Sequence, residues 1–171
     1  PFCRRHVAQL GGTSEKLRSV GVETLAVTED RLDPIRRYFR LRPPRVRLAT
    51  DMERNTHRAY GCPLPPITPE YKQLRATARI NPTGEAPEPM SVDEVQNWLR
   101  KHHRFGEIPE DQALNDQFPP RNFNIHVGHF LIDQAGVVRW AQIETPIDDL
   151  SRYGQFPTDE EILAVARTVL R

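Results

Sequence analysis

Two cysteines and a few histidines are the residues whose types and spacing suit chemistry, and Cys3 comes first. It lies in Pro1-Phe2-Cys3-Arg4-Arg5-His6-Val7-Ala8-Gln9-Leu10, which reads as the opening of a helix with Val7, Leu10 and Leu17 on one face. A helix amino-terminus favours negative charge, because its first backbone N–H groups are unpaired and the peptide dipoles add there. A thiolate in that position is stabilised, and Arg4, Arg5 and His6 push the thiol pKa in the same direction. Pro1 fits a first turn, where no N–H is needed. These are the features of a redox thiol; taken alone, they suit a structural cysteine at a helix start equally well.

The other reactive side chains are less well placed. Cys62 follows a helical stretch and precedes Pro63-Leu64-Pro65-Pro66, the usual setting of a small buried residue. It serves as a second thiol only if its Cα comes within about 7 Å of that of Cys3. The run His126-Val127-Gly128-His129 leads into an apolar strand. Gly128 permits close approach of a substrate to the backbone, and His129 is either a hydrogen-bonding group at that place or a half-buried strand residue. Three residues apart, His126 and His129 point to opposite faces of a strand. With His102-His103 adjacent and neither Cys-x-x-Cys nor His-x-x-x-His spacing in the chain, no metal is expected. A hydrolase elbow, Gly-x-Ser-x-Gly, is absent, as is a phosphate-cradling glycine loop.

The elements that must position these residues are legible in outline. Gly11-Gly12 interrupts the first helix at a cost of about 1 kcal/mol per glycine relative to alanine, predicting a kink or early fraying, then helix to about Ser19 with Gly21 as terminator. Val22–Thr28 reads as a strand, and consecutive Leu25, Ala26 and Val27 suit one covered on both faces. Asp33-Pro34 predicts an N-cap and first helical position, followed by a stripe of Ile35, Tyr38 and Phe39 that Pro43-Pro44 ends. Arg45–Thr50, with Val46 and Leu48 inward, is a second strand, completing a βαβ unit. Asp51 caps a further helix to about Tyr60, closed by Gly61.

From 62 to 123 the character changes. Ten of the sixteen prolines fall here, predicting an insertion with little regular structure. One helix is expected inside it, from the capping box Ser91-x-x-Glu94 and the spacing of Val95, Trp98 and Leu99. The insertion is either a lid over the site or a surface excursion that packs Trp98. Phe130–Asp133, the turn Gln134-Ala135-Gly136 and Val137–Glu144 form a hairpin. Thr158-x-x-Glu161 opens a closing helix carrying Ile162, Leu163, Val165, Ala166, Val169 and Leu170.

With 171 residues, positions 1–171 make a single domain, able to bury roughly 70% of its extended-state surface. The net charge of +1 gives no electrostatic case for nucleic acid or a membrane. Six arginines at 36, 37, 40, 42, 45 and 47 form a basic cluster that reads as a solvated helix face beside a strand edge rather than a nucleic-acid patch. Two cysteines are too few for a secreted disulfide scaffold and fit a cytoplasmic protein.

The opening stretch resembles the tail of a Cys-Pro-Phe-Cys active site in peroxiredoxin-like (alkyl hydroperoxide reductase/thiol-specific antioxidant) proteins of the thioredoxin-fold superfamily. Further stretches are similar to the same group: Val22–Thr28, Ala49–Arg54 with His57–Gly61, Arg79–Glu85 with Pro87–Met90, and Gly128–Trp140. The resemblance implies an α/β, thioredoxin-like mixed sheet flanked by helices, with the 62–123 insertion before the hairpin. It also implies a thiol oxidoreductase that reduces peroxides or protein disulfides with an external thiol reductant of thioredoxin, glutaredoxin or glutathione type, and no cofactor. Cys3 matches the second, resolving cysteine; the attacking one would stand one residue upstream of Pro1, after a strand. The implied site therefore consists of Cys3 with Pro1, Phe2, Arg4, His6, Val127, Gly128 and His129 around it. Where the family carries a cis-proline or an arginine ahead of the hairpin, this chain has His126-Val127-Gly128-His129. A reading from another class is a non-catalytic thioredoxin-fold binding module that uses the 62–123 insertion as its contact surface. Without the upstream strand the sheet is expected either to fall into two β pieces, one holding Val22–Thr28 and Arg45–Thr50, the other the hairpin, or to keep its centre unfilled.

Overall fold

The computed structural model describes residues 2–41, 43–102 and 123–169, so Pro1, Arg42, Leu170, Arg171 and the 103–122 part of the expected insertion lie outside the described residues. In chain order the elements are α1 (Phe2–Arg18), β1 (Leu25–Thr28), α2 (Leu32–Leu41), β2 (Arg47–Thr50), α3 (Asn55–Ala59), α4 (Pro69–Thr77), α5 (Val92–His102), β3 (Gly128–Ile132), β4 (Val138–Ile143) and α6 (Asp159–Val169). The fold is mixed α/β.

Helix α1 runs unbroken through Gly11-Gly12 for 17 residues, against the expected kink. The packing explains Gly11: a Cβ there would lie 2.9 Å from Cβ of Arg45, so the missing side chain lets α1 approach the β1–β2 unit. The helix ends as expected at Gly21, whose φ is +82°, with Val22 N–H donating to Leu17 C=O at 3.0 Å.

Strands β1 and β2 pair in parallel, Leu25 opposite Arg47 and Thr28 opposite Thr50. β3 and β4 pair antiparallel, Gly128 opposite Ile143 and Leu131 opposite Trp140. The two pairs form separate two-stranded sheets, the expected division into two β pieces. Both strands of the first sheet are shorter than expected, and Leu25 is 61% exposed while Ala26, Val27 and Thr28 are half-buried, so the expected cover on both faces is incomplete at the start of β1. Helix α2 starts at Leu32, one turn position ahead of the expected Asp33 cap.

The expected helix from Asp51 to Tyr60 is cut to Asn55–Ala59. Its N-cap, Arg54, has a φ of +56° and makes no side-chain cap bond. Asp51 reaches over instead, its Oδ2 accepting from Thr56 N–H at 2.6 Å, and the Arg54 guanidinium lies 4.7 Å from the ring centre of Phe123.

The described part of the 62–123 segment is more regular than its prolines suggested. Pro69 takes the first turn of α4, where Thr68 is the N-cap and the N–H that proline lacks is not needed. The Ser91–Glu94 box forms at α5, with Ser91 N–H donating to Glu94 Oε2 at 2.9 Å. At the segment's start the chain runs beside 123–126: Asn124 N–H donates to Pro65 C=O at 2.8 Å and His126 N–H to Pro63 C=O at 3.1 Å. Tyr71, Ile80, Ala86, Val92, Val95 and Leu99 join Phe2, Leu150 and Tyr153 in one hydrophobic cluster. The described part of the segment thus helps to build the core, which corrects the expectation of an insertion with little regular structure beyond its one helix.

A second cluster unites Leu17 of α1, Leu131 of β3 and Ile162 and Ala166 of α6. Glu161 and Thr158 close the expected capping box of α6, Thr158 N–H donating to Glu161 Oε2 at 2.7 Å. Because side chains alternate along a strand, His129 and Leu131 face α1 and α6, whereas Gly128 and Phe130 face the other way. There Tyr60 packs on Phe130 with ring centres 4.7 Å apart.

Candidate functional site

Cys3 lies in the first turn of α1 and is exposed. Its neighbour Phe2 turns inward, 5% exposed, with its ring edge-on to Tyr153 at 5.8 Å. Gly154 makes room for that ring, since a Cβ there would stand 3.2 Å from it. Arg5, beside Cys3, pairs with Glu85 of the 81–90 loop. Arg5 thus fastens the Cys3 turn to the segment expected to be an insertion, and Phe2 fastens it to the Tyr153-Gly154 turn. Pro1 and the side chain of Arg4 lie outside the described residues.

One turn on, His6 is 5% exposed and meets His129 of β3, Nε2 to Nε2, at 2.6 Å. The His6 ring stacks on Phe156 at 3.9 Å between centres, and the two imidazoles meet edge to face. Only one of two facing nitrogens can carry a proton in a neutral hydrogen bond, so the rings hold opposite tautomers at this contact. Nδ1 of each is buried without a hydrogen-bond partner. Burial, and then the nearby His129, hold His6 down at about 3; burial holds His129 at about 4. The two expected halves of the site, one on α1 and one ahead of the hairpin, therefore meet through His6 and His129.

A second tie runs below them. Glu144, buried at the end of β4, accepts from Val127 N–H at 2.9 Å and from Gly154 N–H. It joins the backbone just before β3 to the turn that receives Phe2. Burial pushes its carboxyl pKa up. Burial also raises the Tyr153 hydroxyl, helped by the negative charge of Glu144 and of Cys3. His126 is fully buried: its Nε2 lies 2.9 Å from Tyr71 Oη and its Nδ1 2.8 Å from Thr145 C=O. The carbonyl can only accept, so Nδ1 carries the proton and Nε2 accepts from the tyrosine. His126 is thereby a structural residue, kept neutral chiefly by burial.

Cys62 does not join Cys3. A Cβ on Gly128 would lie 2.5 Å from Cys62 Sγ, which puts this sulfur on the Gly128–Phe130 side of β3. Cys3 belongs to the helix that covers the His129–Leu131 side. No disulfide links them, and burial raises the Cys62 pKa; a second redox thiol in partnership with Cys3 does not fit this placement.

Sequence reasoning missed Glu144, Tyr153 and Phe156. Gly154 and Pro157 beside them marked a turn, yet nothing in the spacing said which helix the turn would meet. Among the described residues no three His, Cys, Asp or Glu side chains gather as metal ligands, and no helix is long and apolar enough to cross a membrane. A shallow groove of about 300 Å³ between Pro65, Pro66, Tyr71, Leu74 and Ile147 contains none of the residues singled out from the sequence. Compared with protein-family models, curated proteins and solved structures, the chain matches none.

Proposed function

We propose that the chain is a thiol-dependent redox protein of the thioredoxin-like, peroxiredoxin-like kind, with Cys3 as its resolving thiol. The observation that carries this reading is the setting of Cys3: exposed in the first turn of α1, while Phe2 and His6 on either side of it are buried. A helix start stabilises a thiolate, and exposure leaves it open to a disulfide or a peroxide-oxidised partner. The chemistry is thiol–disulfide exchange. A thiolate attacks the oxidised sulfur, the new S–S bond forms as the old one breaks, and the leaving sulfur departs as thiolate. Electrons come in the end from an external thiol of thioredoxin, glutaredoxin or glutathione type.

In this reading the attacking thiol belongs immediately before Pro1, and a strand leading to it belongs between β1 and β3. The division of the sheet into two pairs supports that arrangement. A chain extended upstream through that strand and cysteine should consume peroxide or reduce a model disulfide with a thiol donor, while the chain beginning at Pro1 should turn over slowly. Robust turnover by the Cys3→Ser variant of the short chain would overturn the assignment. Inertness of both forms would favour the binding-module reading.

A further inference from the structure

We propose that His6 and His129 form an acid-operated latch, which fastens the Cys3-bearing end of α1 to β3 while the rings are neutral and lets go when both are charged. The inference concerns the conformation of α1 and stands apart from whether Cys3 turns over a substrate.

The geometry sets the two states. With Nε2 atoms 2.6 Å apart, a proton lies between the rings and a second has no room there. Doubly protonated, the pair would put two N–H groups and two positive charges head to head in a buried place. Among the described residues, no carboxylate is hydrogen-bonded to either ring to balance that charge. Around the pair, each packed element offers neutral groups or charges already engaged. On α1 these are Gln9 and Arg5, the latter paired with Glu85; the Cys3 thiol, one turn away, stands exposed to solvent. Phe156 covers His6 from the segment before α6. At the start of α6, Asp159 is bound to Thr13 and to Lys16 Nζ, the latter at 2.6 Å. On the hairpin, Glu144 is bound to Val127 and Gly154 N–H, and Asp133 to Arg139 at 2.7 Å. The depressed pKa values, about 3 for His6 and about 4 for His129, agree with rings that charge only on leaving this place.

Release has a natural boundary. The carboxy-terminal half of α1 is held by Leu17 in the hydrophobic cluster with Leu131 and α6 and by the Thr13 and Lys16 bonds to Asp159. The amino-terminal half is held by Phe2, the Arg5–Glu85 pair and His6. Acid therefore frees the half that carries Cys3 before the half that carries Leu17.

Amide hydrogen exchange of Val7–Leu10, corrected for the intrinsic pH dependence and compared with amides of α6, tests the latch between pH 7 and 4.5. Each ring that charges on opening steepens the opening constant by up to tenfold per pH unit below about 6.5. Wild type should approach a hundredfold per unit, and a His129→Gln variant, which keeps an acceptor for His6 but does not titrate, about tenfold. Equal slopes in the two proteins would overturn the latch. Should the variant fail to fold, ring resonances of the wild type decide: both rings still neutral at pH 5 supports it, and independent titration of either near 6.5 overturns it.

Discussion

Cys62 rests its sulfur against the backbone of Gly128, on the side of β3 turned away from the helix that carries Cys3. The two thiols thus belong to opposite sides of β3, whereas the Cα atoms of a disulfide stand within about 7 Å. Mild oxidation of the folded chain should therefore yield no intramolecular disulfide. A linked Cys3–Cys62 peptide found by mass spectrometry under native conditions would contradict this placement.

The same contact makes Gly128 intolerant of a side chain. A Cβ there meets Cys62 Sγ at 2.5 Å and the Phe130 ring at 2.6 Å, so Gly128→Ala should cost about 1–3 kcal/mol through overpacking. Adding Cys62→Gly should recover part of that loss, leaving the clash with Phe130. A double-mutant cycle in urea with no coupling between the two positions would show that they do not touch.

Glu144 should resist even its amide. Both of its carboxylate oxygens accept backbone N–H groups, from Val127 and Gly154, so in Glu144→Gln one donor faces another. Loss of a buried hydrogen bond of this kind costs about 1–3 kcal/mol. The expected result is a lower urea midpoint and exposure of Phe2, read from the chemical shifts of its ring. Unchanged stability would mean that one of the two bonds is dispensable.

Stability should fall in mild acid. His6 and His129 are held at about 3 and about 4, below the unfolded value of about 6.5, and burial moves His126 the same way. Between those values the unfolded chain binds more protons than the folded one, so stability rises with pH through this window and is full above it. At pH 5 the loss is about 2 kcal/mol for each of His6 and His129. Glu144 acts oppositely: its raised pKa means that its charged form opposes folding as pH climbs above the ordinary carboxyl range. The histidines outnumber it, so the urea midpoint should be lower at pH 5 than at pH 7. An equal or higher midpoint at pH 5 would refute the neutral-histidine core.

How much of this was legible depended on whether the signal was local. The capping boxes at Ser91 and Thr158, the Gly136 turn and the Gly21 helix stop are written in neighbouring residues and formed where expected. Gly11-Gly12 misled because the cost of glycine is local whereas its use here, the approach of Arg45, is tertiary. The prolines of the 62–123 segment misled in a similar way: Pro69 starts a helix, and Tyr71, Val92, Val95 and Leu99 supply core that a proline count does not reveal. At the site, Cys3, His6 and His129 were visible as reactive types. That His6 and His129 meet across 123 positions could not be read from spacing, and neither could the clamp of Glu144 on the Phe2 pocket.

The central claim is that Cys3 is a redox thiol, and its alkylation by iodoacetamide as a function of pH tests that most directly. Followed by mass spectrometry on the folded chain, Cys3 should react with a midpoint below the ordinary thiol value of about 8.5. Cys62, raised by burial, should react later and at higher pH. A Cys3 midpoint at or above that of a free thiol would contradict the account.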